Sequence, residues 1–409
     1  FLPTPFLPVY SIALIGSDLY AAGSFDTDPI GGLIRKRLAK LNTTTGAADP
    51  AFNPEPDGNL IITVTGSGND LYVGGDFTTI GGESRNGVAK LNRFTGVTDA
   101  MWNPNPNPNG RTYTILVSGT DVFVGGGFSS IGGQLKNNLA KLNNTTGSAD
   151  PVWEPNSDGS VLAIAQSGND LYVGGGFYSI GGRTRNRIAK INNITGVVDT
   201  TWNPNINNFV NTLVINNNDL YVSGVFTTAG GLTRNRLVKI DKTTGAIDAV
   251  WNPNANNDVY SLVISGSDIY AGGNFTSIGG QTRNYIAKLN NTNGNADGAW
   301  NPNSNGPVLS IATDGSDIYA GGAFSNIGGL LRNNIAKLNS TTGDADAGWD
   351  ANSNSFVYSI AISGTDVYAG GNFNVIGFQT RSKIAKLNST NGFADLTWNA
   401  NVNNTGYVL

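Results

Sequence analysis

The sequence contains neither cysteine nor histidine in its 409 residues. Without cysteine there is no disulfide framework, no thiolate nucleophile and no zinc–sulfur site. Without histidine, the commonest general base and the commonest transition-metal ligand are both missing. Serine–histidine–aspartate and cysteine–histidine catalysis are therefore excluded, and we expect no cofactor and no metal site. The missing cysteines fit a secreted protein and a cytosolic one equally well.

Charge and long apolar runs are also scarce. Charged residues make up 13% of the chain and the net charge is −4. No cluster of lysine and arginine points to nucleic acid or an anionic membrane as a partner. No apolar run approaches the ~18–20 residues that a membrane span needs. The chain begins at Phe1 without a signal peptide, and we expect it to be the mature or excised part of a longer chain with further domains.

Glycine is abundant, with 55 residues, and asparagine, threonine and serine accompany it, which is typical of a β protein rich in turns. An aspartate followed by an aliphatic residue recurs at spacings of 52, 51 and then 49 residues five times. These aspartates are Asp18, Asp70, Asp121, Asp170, Asp219, Asp268, Asp317 and Asp366. The chain is therefore eight copies of one unit, which we number first to eighth in chain order.

The sixth copy shows what one unit is expected to form. Segments 259–264, 269–275, 284–289 and 296–300 are rich in β-branched and aromatic residues and are bounded by turn residues. Four short antiparallel strands in about 49 residues are the size of one propeller blade. We therefore predict an all-β fold, an eight-bladed β-propeller that forms a single domain over 1–409. A β-solenoid is the structural alternative, but it normally has shorter rungs without hairpins.

The first and eighth copies are the least regular. Phe52 stands where the other copies have tryptophan, and Phe378 replaces a glycine of the eighth copy. These two copies either cap an open array or meet at the seam of a closed ring. The tail 406–409 repeats the beginning of a first strand, and it either leads into a ninth unit or adds a strand at the seam.

A tryptophan occupies the same place in seven copies. An aromatic platform for sugars is one interpretation, but we favour a packing anchor, because every unit needs the same contact with its neighbour. The tryptophans are Trp102, Trp153, Trp202, Trp251, Trp300, Trp349 and Trp398. The second strand carries paired glycines, as at Gly272 and Gly273, and we expect an aromatic ring to pack across them.

Charged and amide residues repeat as well. A lysine in the third strand and an aspartate near the tryptophan, such as Lys288 and Asp297, predict an ion pair inside each unit. Arginines follow the Ile-Gly-Gly turn, and asparagines follow the tryptophan. If both loops lie on one face, that face is a candidate binding face for carboxylates or sugar hydroxyls. Its candidate residues are Arg85, Arg185, Arg234, Arg283, Arg332, Asn205, Asn254 and Asn303. The favoured alternative is that each arginine donates hydrogen bonds to loop carbonyls of its own unit.

The phrases Leu-Tyr-Val-Gly-Gly-x-Phe at 71–77, Ile-Gly-Gly-x-x-Arg-Asn and Trp-Asn-Pro-Asn resemble the delta-sixty type of propeller repeat found in large secreted bacterial proteins. They are also similar to kelch repeats, in which a glycine pair ends the second strand. The resemblance covers essentially the whole chain and implies a propeller in a secreted or cell-surface, bacterial setting. It implies no catalytic residues. The Thr-Gly…Trp element is similar to the docking motif of eight-bladed quinoprotein dehydrogenases, whose frequent vicinal cysteine pair is missing here.

We expect the chain to be a non-enzymatic binding or scaffold module, adhesin-like or part of an extracellular assembly. Its expected partner is a protein or a glycan at the loop face, and not nucleic acid or the interior of a membrane. A carbohydrate-binding propeller is the alternative, since several equivalent pockets would gain strength by avidity. A lyase or glycosidase that uses carboxylates is a third hypothesis. Its residues would be among the non-repeated Glu55, Asp57, Glu83 and Glu154.

Overall fold

The computed structural model describes residues 9–27, 29–107 and 110–400. All secondary structure in this part of the chain is strand or turn, without helix, so the predicted all-β repeat is confirmed. Each unit forms a three-stranded antiparallel sheet and a separate two-stranded hairpin. None of the described segments is a helix long and apolar enough to cross a membrane. The tail 406–409, for which a ninth unit or a seam strand was considered, lies outside the described residues.

The strands occur at equivalent positions in all eight units. The first strands are Val9–Ile15, Leu60–Ser67, Arg111–Ser118, Val161–Ser167, Val210–Asn216, Val259–Ser265, Val308–Thr313 and Val357–Ser363. The second strands are Asp18–Gly23, Asp70–Asp76, Asp121–Gly127, Asp170–Gly175, Asp219–Gly224, Asp268–Gly273, Asp317–Gly322 and Asp366–Gly371. The third strands are Leu38–Asn42, Val88–Asn92, Leu139–Asn143, Ile188–Asn192, Leu237–Asp241, Ile286–Asn290, Ile335–Asn339 and Ile384–Asn388.

A short hairpin, made of two strands of two residues each, lies between the second and third strands of every unit, where the sequence had suggested only a turn. In the sixth unit Ser277 pairs with Thr282, and Ile278 with Gln281, across two glycines. The hairpins pair Pro29–Ile30 with Leu33–Ile34, Thr79–Ile80 with Glu83–Ser84, Ser130–Ile131 with Gln134–Leu135, Ser179–Ile180 with Arg183–Thr184, Thr228–Ala229 with Leu232–Thr233, Ser277–Ile278 with Gln281–Thr282, Asn326–Ile327 with Leu330–Leu331 and Val375–Ile376 with Gln379–Thr380.

The fourth extended segment of the unit is shorter than the prediction of 296–300. Only Ala296 pairs, through an isolated bridge to Leu289 of the third strand. The chain then turns, because the Asp297 carboxylate accepts the backbone N–H groups of Ala299 at 3.0 Å and Trp300 at 3.3 Å. A side chain that captures these donors competes with a strand ladder for them.

The first strand carries a β-bulge near its beginning. In the sixth unit Val259 pairs with Gly273 and Ser261 with Gly272, so that Tyr260 has no partner in the second strand. The same register shift occurs in all eight units. Bulges bend a strand and change the direction of a side chain, and they are common beside functional sites. One bulged residue per unit is therefore presented at the same end of every first strand.

Neighbouring units pack at the first glycine of the pair through β-branched side chains, and not through the predicted aromatic ring. A phenylalanine ring of the same unit approaches the second glycine at Gly126 and Gly371, so the prediction of a ring across the pair holds only there and for one glycine. A Cβ added to Gly272 would lie 2.8 Å from Cγ1 of Val308, which begins the first strand of the next unit. A Cβ added to Gly273 would meet the carbonyl oxygen of Asp258 at the bulge of its own unit. The first glycine therefore leaves room for the valine of the next unit, and the second leaves room for the bulged backbone of its own unit.

The first and eighth units contact each other with the same geometry. A Cβ on Gly370 would lie 2.8 Å from Cγ1 of Val9. The indole nitrogen of Trp398 donates to the carbonyl of Asn42 at 2.9 Å. One hydrophobic cluster joins Trp398 and Ile384 of the eighth unit to the second and third strands of the first unit. Eight such clusters lie between consecutive units and between these two ends.

Candidate functional site

The repeated tryptophans are fully buried at the junctions between units. Trp300 packs edge-on against Tyr270 of its own unit, with ring centroids 5.3 Å apart. Its indole N–H donates to the carbonyl of Asn339 in the next unit at 2.9 Å. Equivalent hydrogen bonds extend from Trp102, Trp153, Trp251, Trp349 and Trp398. The indoles are thus placed as packing anchors, and they present no ring face to a ligand.

The arginines of the candidate binding face are also buried. Arg234 is 4% exposed, and it donates to the carbonyls of Thr233 and Asp248 at 2.8 Å and of Ala249 at 3.0 Å. Arg85, Arg185, Arg283 and Arg332 make matching contacts in their own units. Each arginine therefore donates hydrogen bonds to loop carbonyls of its own unit, as in the interpretation that the sequence favoured. These guanidinium groups are not arranged as an accessible ring.

The asparagines of the candidate face remain at the surface. Asn205, Asn254 and Asn303 are exposed, and each has a positive φ of 49–50°. Each side-chain oxygen accepts a hydrogen bond from an asparagine that precedes a third strand, as between Asn284 and Asn303 at 2.7 Å. Asparagine tolerates this left-handed conformation better than most residues. These amides form exposed polar pairs between the loops of one unit.

The loop after the tryptophan lies beside the hairpin of the next unit, as the candidate face requires. The Asn256 side-chain oxygen accepts the backbone N–H groups of Thr276 at 2.9 Å and Ser277 at 3.1 Å. The same contact joins Asn207 to the fifth hairpin. We call the side of the molecule that carries these hairpins and loops the hairpin face. The short turns between the first and second strands lie at the opposite ends of the strands.

The predicted ion pair within each unit is present, and it has a second carboxylate that the sequence reasoning missed. Lys337 lies 3.3 Å from Asp346 and 3.1 Å from Asp317, the aspartate that opens the second strand. Its ammonium group also donates to the carbonyl of Ser389 in the next unit at 3.2 Å. Burial lowers the pKa of Lys337, but the hydrogen bonds and charges of the two carboxylates outweigh this and raise it. These groups therefore hold the unit together, and their repetition had suggested that role.

The residue that ends the third strand caps the turn that follows it, and in most units this residue is an asparagine. The Asn339 side-chain oxygen accepts the backbone N–H groups of Thr341 at 2.8 Å and Thr342 at 2.9 Å. The same contacts are made by Asn42, Asn290 and Asn388.

The non-repeated carboxylates that an enzyme would need are bound to their own surroundings. Asp57 accepts hydrogen bonds from Thr78 and Thr79, with its nearest donor the Thr78 hydroxyl at 2.5 Å. Glu154 lies 3.2 Å from the Lys136 ammonium group. Within the described ranges, no three carboxylates are grouped so that they could hold a metal ion.

One position that varies between units is the bulged residue, which lies at the end of the first strand beside the hairpin face. The described bulged side chains are Ile62, Tyr113, Leu162, Asn211, Tyr260, Leu309 and Tyr358. Tyr260 is 46% exposed. Burial, followed by the nearby Asp258 charge, raises the pKa of its phenol. First strands of adjacent units contact each other, as where Ile311 N donates to Ser261 Oγ at 3.0 Å. Because the first strands of adjacent units are in contact, the bulged residues of neighbouring units lie near one another. They form the best candidate for a binding surface.

A second variable position precedes the third strand, where the backbone is left-handed in every unit, with φ between 59° and 69°. Its residues are Arg37, Gly87, Asn138, Arg187, Arg236, Tyr285, Asn334 and Lys383. Side chains other than glycine or asparagine cost free energy in this conformation and tend to be kept for function. Sequence reasoning missed this position, although disagreement among the copies directly after the frequent Arg-Asn pair was a usable signal.

Together, the repeated sheets and the junctions between them define a β-propeller repeat protein. Comparison with protein families agrees. Five stretches match the family described as "Domain of unknown function (DUF5122) beta-propeller", and together they cover less than half of the chain. They are residues 69–100, 122–151, 166–201, 268–298 and 316–348. The likeness to kelch repeats remains a resemblance in sequence.

Solved structures with a similar fold are distant in sequence. The computationally designed Ika8 protein has a TM-score of 0.57 and 13% identity, covering 85% of this chain and 90% of its own. BamB from Moraxella catarrhalis has a TM-score of 0.52 and 16% identity, covering 88% of this chain and 92% of its own. No curated protein matches the sequence. At these identities the likeness concerns the fold alone.

Proposed function

We propose that the chain is a closed eight-bladed propeller that serves as a non-enzymatic binding or scaffold module of a secreted or cell-surface bacterial protein. Ring closure is supported by the contact of Val9 with Gly370 and by the hydrogen bond from Trp398 to Asn42. A closed ring has no free sheet edge between its first and last blades. The module forms one domain and binds a protein or a glycan through its hairpin face.

The observation that carries the binding role is the division between repeated and variable residues. The repeated tryptophans, lysines and arginines make contacts inside a unit or between adjacent units, whereas two variable positions, the bulge and the residue before the third strand, lie on the hairpin face. Exposed polar or aromatic residues on loops held by a rigid scaffold are the usual elements of a recognition surface. The described bulged residues include isoleucine, leucine, asparagine and tyrosine, so the framework does not require one residue type at this position.

A carbohydrate is the alternative ligand class, and the exposed aromatic rings favour it. Phe209, Tyr260 and Phe356 are 43%, 46% and 44% exposed at the beginnings of first strands. Aromatic side chains combine an apolar face with a low entropic cost of being held still, so they recur as recognition anchors. The exposed Asn205 and Asn254 provide amides for hydroxyl groups on the same face.

The binding role is tested by screening the purified chain against an array of glycans and an array of extracellular proteins. The informative variant replaces Tyr113, Tyr260 and Tyr358 by asparagine, the residue that already occupies this position at Asn211. We expect the variant to lose most of the signal given by the wild type. A matched control replaces Leu396, which is 75% exposed and is not a bulged residue, by alanine and should retain it. The proposal fails if the wild type has no reproducible ligand, or if the tyrosine variant binds as well as the control.

The location is tested separately in the source cells. Antibodies against the chain should label intact cells or the culture medium, and added protease should remove the label from the cells. Labelling that requires permeabilised cells would contradict a secreted or surface location and leave the binding role to be judged by the arrays.

A further inference from the structure

The left-handed position before the third strand carries arginine in three units, and these three arginines have different surroundings. Arg37 lies 3.4 Å from Asp26, and Arg236 lies 3.4 Å from Asp258. Arg187 makes no ion pair within 4.0 Å among the described residues. The fourth unit thus keeps a cation at this position without the carboxylate that accompanies it elsewhere.

Arg187 is nevertheless buried, with only 5% of its surface exposed. One Nη1 hydrogen bond is made to the carbonyl of Gly176, and Nε has no hydrogen-bond partner among the described residues. Removing a charge from water is costly unless an opposite charge compensates for it. The left-handed backbone, with φ of 66°, adds to the cost of an arginine at this site. Both costs indicate that Arg187 has a role other than shaping the loop.

Two aromatic rings pack against Arg187, and one of them stands where the next unit has the carboxylate of Asp258. The guanidinium carbon of Arg187 lies 3.7 Å from the centre of the Tyr178 ring and 5.2 Å from that of Phe209. Phe209 precedes the fifth first strand, just as Asp258 precedes the sixth. The rings hold the cation by cation–π attraction and do not neutralise it. They also reach the surface, because Tyr178 is 60% exposed and Phe209 is 43% exposed.

The backbone is shaped to admit this arrangement. A Cβ on Gly176 would overlap the ring of Phe209, so the glycine lets the ring lie against the second strand. The equivalent residue beside Arg236 is Val225. The fourth unit therefore combines three departures from its neighbour: a glycine, an exposed ring and an unpaired cation.

The charge near Arg187 is positive on balance, although the whole chain has a net charge of −4 and the Asp158 carboxylate accepts the backbone N–H groups of Tyr178 and Ser179. Three arginines lie within five residues in the sequence Arg183-Thr184-Arg185-Asn186-Arg187. Arg183 is exposed on the hairpin, and its positive charge contributes to lowering the pKa of Arg185, after the larger effect of burial. A cluster of one sign attracts ligands of the opposite sign.

We propose that Arg187, Tyr178 and Phe209 form a single binding site for an acidic saccharide, a pyranose ring that bears a carboxylate. The carboxylate compensates the charge of the arginine cluster, and the apolar face of the sugar packs on the exposed rings. Asn186 and Asn208 flank the site. The Asn186 amide nitrogen already donates to Asn205, and the Asn208 oxygen accepts the Phe209 backbone N–H, so the Asn186 oxygen and the Asn208 amide nitrogen are the atoms left for hydroxyl groups. The site rests on the proposed binding role and adds to it a ligand class and a particular junction, between the fourth and fifth units.

The site is tested by calorimetric titration of the full chain with a trisaccharide of uronic acids and with the neutral trisaccharide of the same linkage. We expect saturable binding of the acidic sugar that weakens as salt is added, because exposed charges are screened. The neutral sugar should bind at least about tenfold more weakly, the factor expected when one charge-assisted hydrogen bond is lost.

Three variants separate the site from the rest of the face. Arg187→Asn introduces the residue found at Asn138 and Asn334, so the fold should be retained, and it should lower the affinity for the acidic sugar about tenfold or more. Phe209→Asp copies Asp258 and supplies an internal carboxylate, so it should abolish binding while retaining the melting temperature. Arg236→Asn removes an arginine that is already paired, and it should leave the affinity within about twofold of the wild type.

The outcomes distinguish this site from the wider proposal. If the acidic and neutral sugars bind equally and Arg187→Asn changes neither affinity, the site assigned here is wrong while a glycan-binding propeller survives. If Arg187→Asn and Arg236→Asn weaken binding equally, the ligand senses the charge of the whole face and the site is again wrong. If no acidic saccharide binds at millimolar concentration, the ligand class is wrong, and the arrays decide the binding role independently.

Discussion

Two junctions of the molecule can be compared directly: the one between the sixth and seventh units, and the one between the eighth and first. At the internal junction, the Trp300 indole donates across the boundary at 2.9 Å. At the closing junction, the Trp398 indole does the same at 2.9 Å. Glycines admit the neighbouring valine with the same 2.8 Å approach at Gly272 and Gly370. One junction joins residues about one unit apart, and the other joins the two ends of the chain.

The comparison shows that closure needs no special device. The first unit offers Val9 and the carbonyl of Asn42 in the positions where the seventh offers Val308 and the carbonyl of Asn339. The difference lies in the chain entropy, since contacts between distant residues require a larger loop to be closed. In an open array the last unit would leave its tryptophan without a partner, and the stability would be a sum over internal junctions alone.

The largest expected effect comes from removing the anchor at each junction. Trp300→Ala and Trp398→Ala should each cost roughly 3–5 kcal/mol, because a fully buried aromatic ring and its hydrogen bond are lost. The measurement is equilibrium unfolding in urea, followed by the fluorescence of the remaining tryptophans. Equal losses at the two sites indicate a ring that is closed in solution.

Leu396→Ala provides the control for this pair. Leu396 lies two residues before Trp398 and is 75% exposed, so its truncation should change the stability by less than about 0.5 kcal/mol. A Trp398 variant that behaves like the Leu396 variant, while the Trp300 variant is destabilised, would show that the ends do not meet.

A smaller effect is expected when the glycines at the two junctions are filled. Gly272→Val and Gly370→Val would push isopropyl groups into Val308 and Val9, and overpacking of this kind typically costs about 1–3 kcal/mol. An exposed turn glycine such as Gly364 cannot serve as the control site, because a valine would be strained at its φ of 57°. The control is the reverse change, Ser223→Gly, at the position of the fifth unit that is equivalent to Gly272. A penalty at Gly272 without one at Gly370 would place Val9 away from the eighth unit.

Much of this architecture could be predicted from the sequence, and the exceptions have physical causes. The β-branched runs and turn residues indicated the first three strands of the sixth unit to within two residues at either end. The bulge at Tyr260 was not foreseeable, because Val259, Tyr260 and Ser261 have the composition of an uninterrupted strand. The short fourth segment was overestimated, since composition does not show that Asp297 captures the donors that a strand would use.

A third pair of variants addresses the lysines at the two junctions. Lys288 donates to the carbonyl of Ser340 at 3.2 Å, and Lys386 donates to that of Thr43 at 3.4 Å. Replacing either lysine by methionine leaves two partly exposed carboxylates beside each other, and we expect a loss of about 1–2 kcal/mol at neutral pH. The Lys386→Met loss should be the smaller if the longer contact is the weaker one.

This loss should depend on pH. Burial raises the pKa of Asp395, but hydrogen bonds from Thr397, Trp398 and Lys386 outweigh it and lower the pKa below its ordinary value. A lowered folded-state pKa stabilises the protein above the unfolded value of about 3.9, and this contribution disappears as the pH falls through the folded value. The difference between wild type and Lys386→Met should therefore shrink below about pH 4. A difference that stays constant from pH 7 to pH 3 would show that the ion pair does not contribute.

The candidate site was less accessible to prediction than the framework. Repetition indicated the roles of Lys337 and Trp300, because the lysine recurs in all eight units and the tryptophan in seven, as expected of residues whose contact every unit needs. The residues at Arg187 and Tyr178 carry no repeat signal, and nothing in the sequence shows that Phe209 lies against them. Their meeting depends on the left-handed backbone before one third strand and on the path of the next first strand. The arginines considered for the face donate to loop carbonyls of their own units, which was the favoured interpretation of the sequence.

The smallest expected effect concerns one hydrogen bond at each junction. Ser261 accepts the backbone N–H of Ile311 at 3.0 Å, and Ser359 accepts that of Ile12 at 3.3 Å. Ser261→Ala and Ser359→Ala should each cost about 0.5–1.5 kcal/mol, and Ala163 shows that alanine is accommodated at this position. Hydrogen exchange followed by mass spectrometry should show faster exchange at Ile311 or Ile12 in the matching variant only. If the Ile12 amide already exchanges freely in the wild type while Ile311 is protected, the closing junction opens on its own, and the ring is held at that point by Trp398 and Val9 alone.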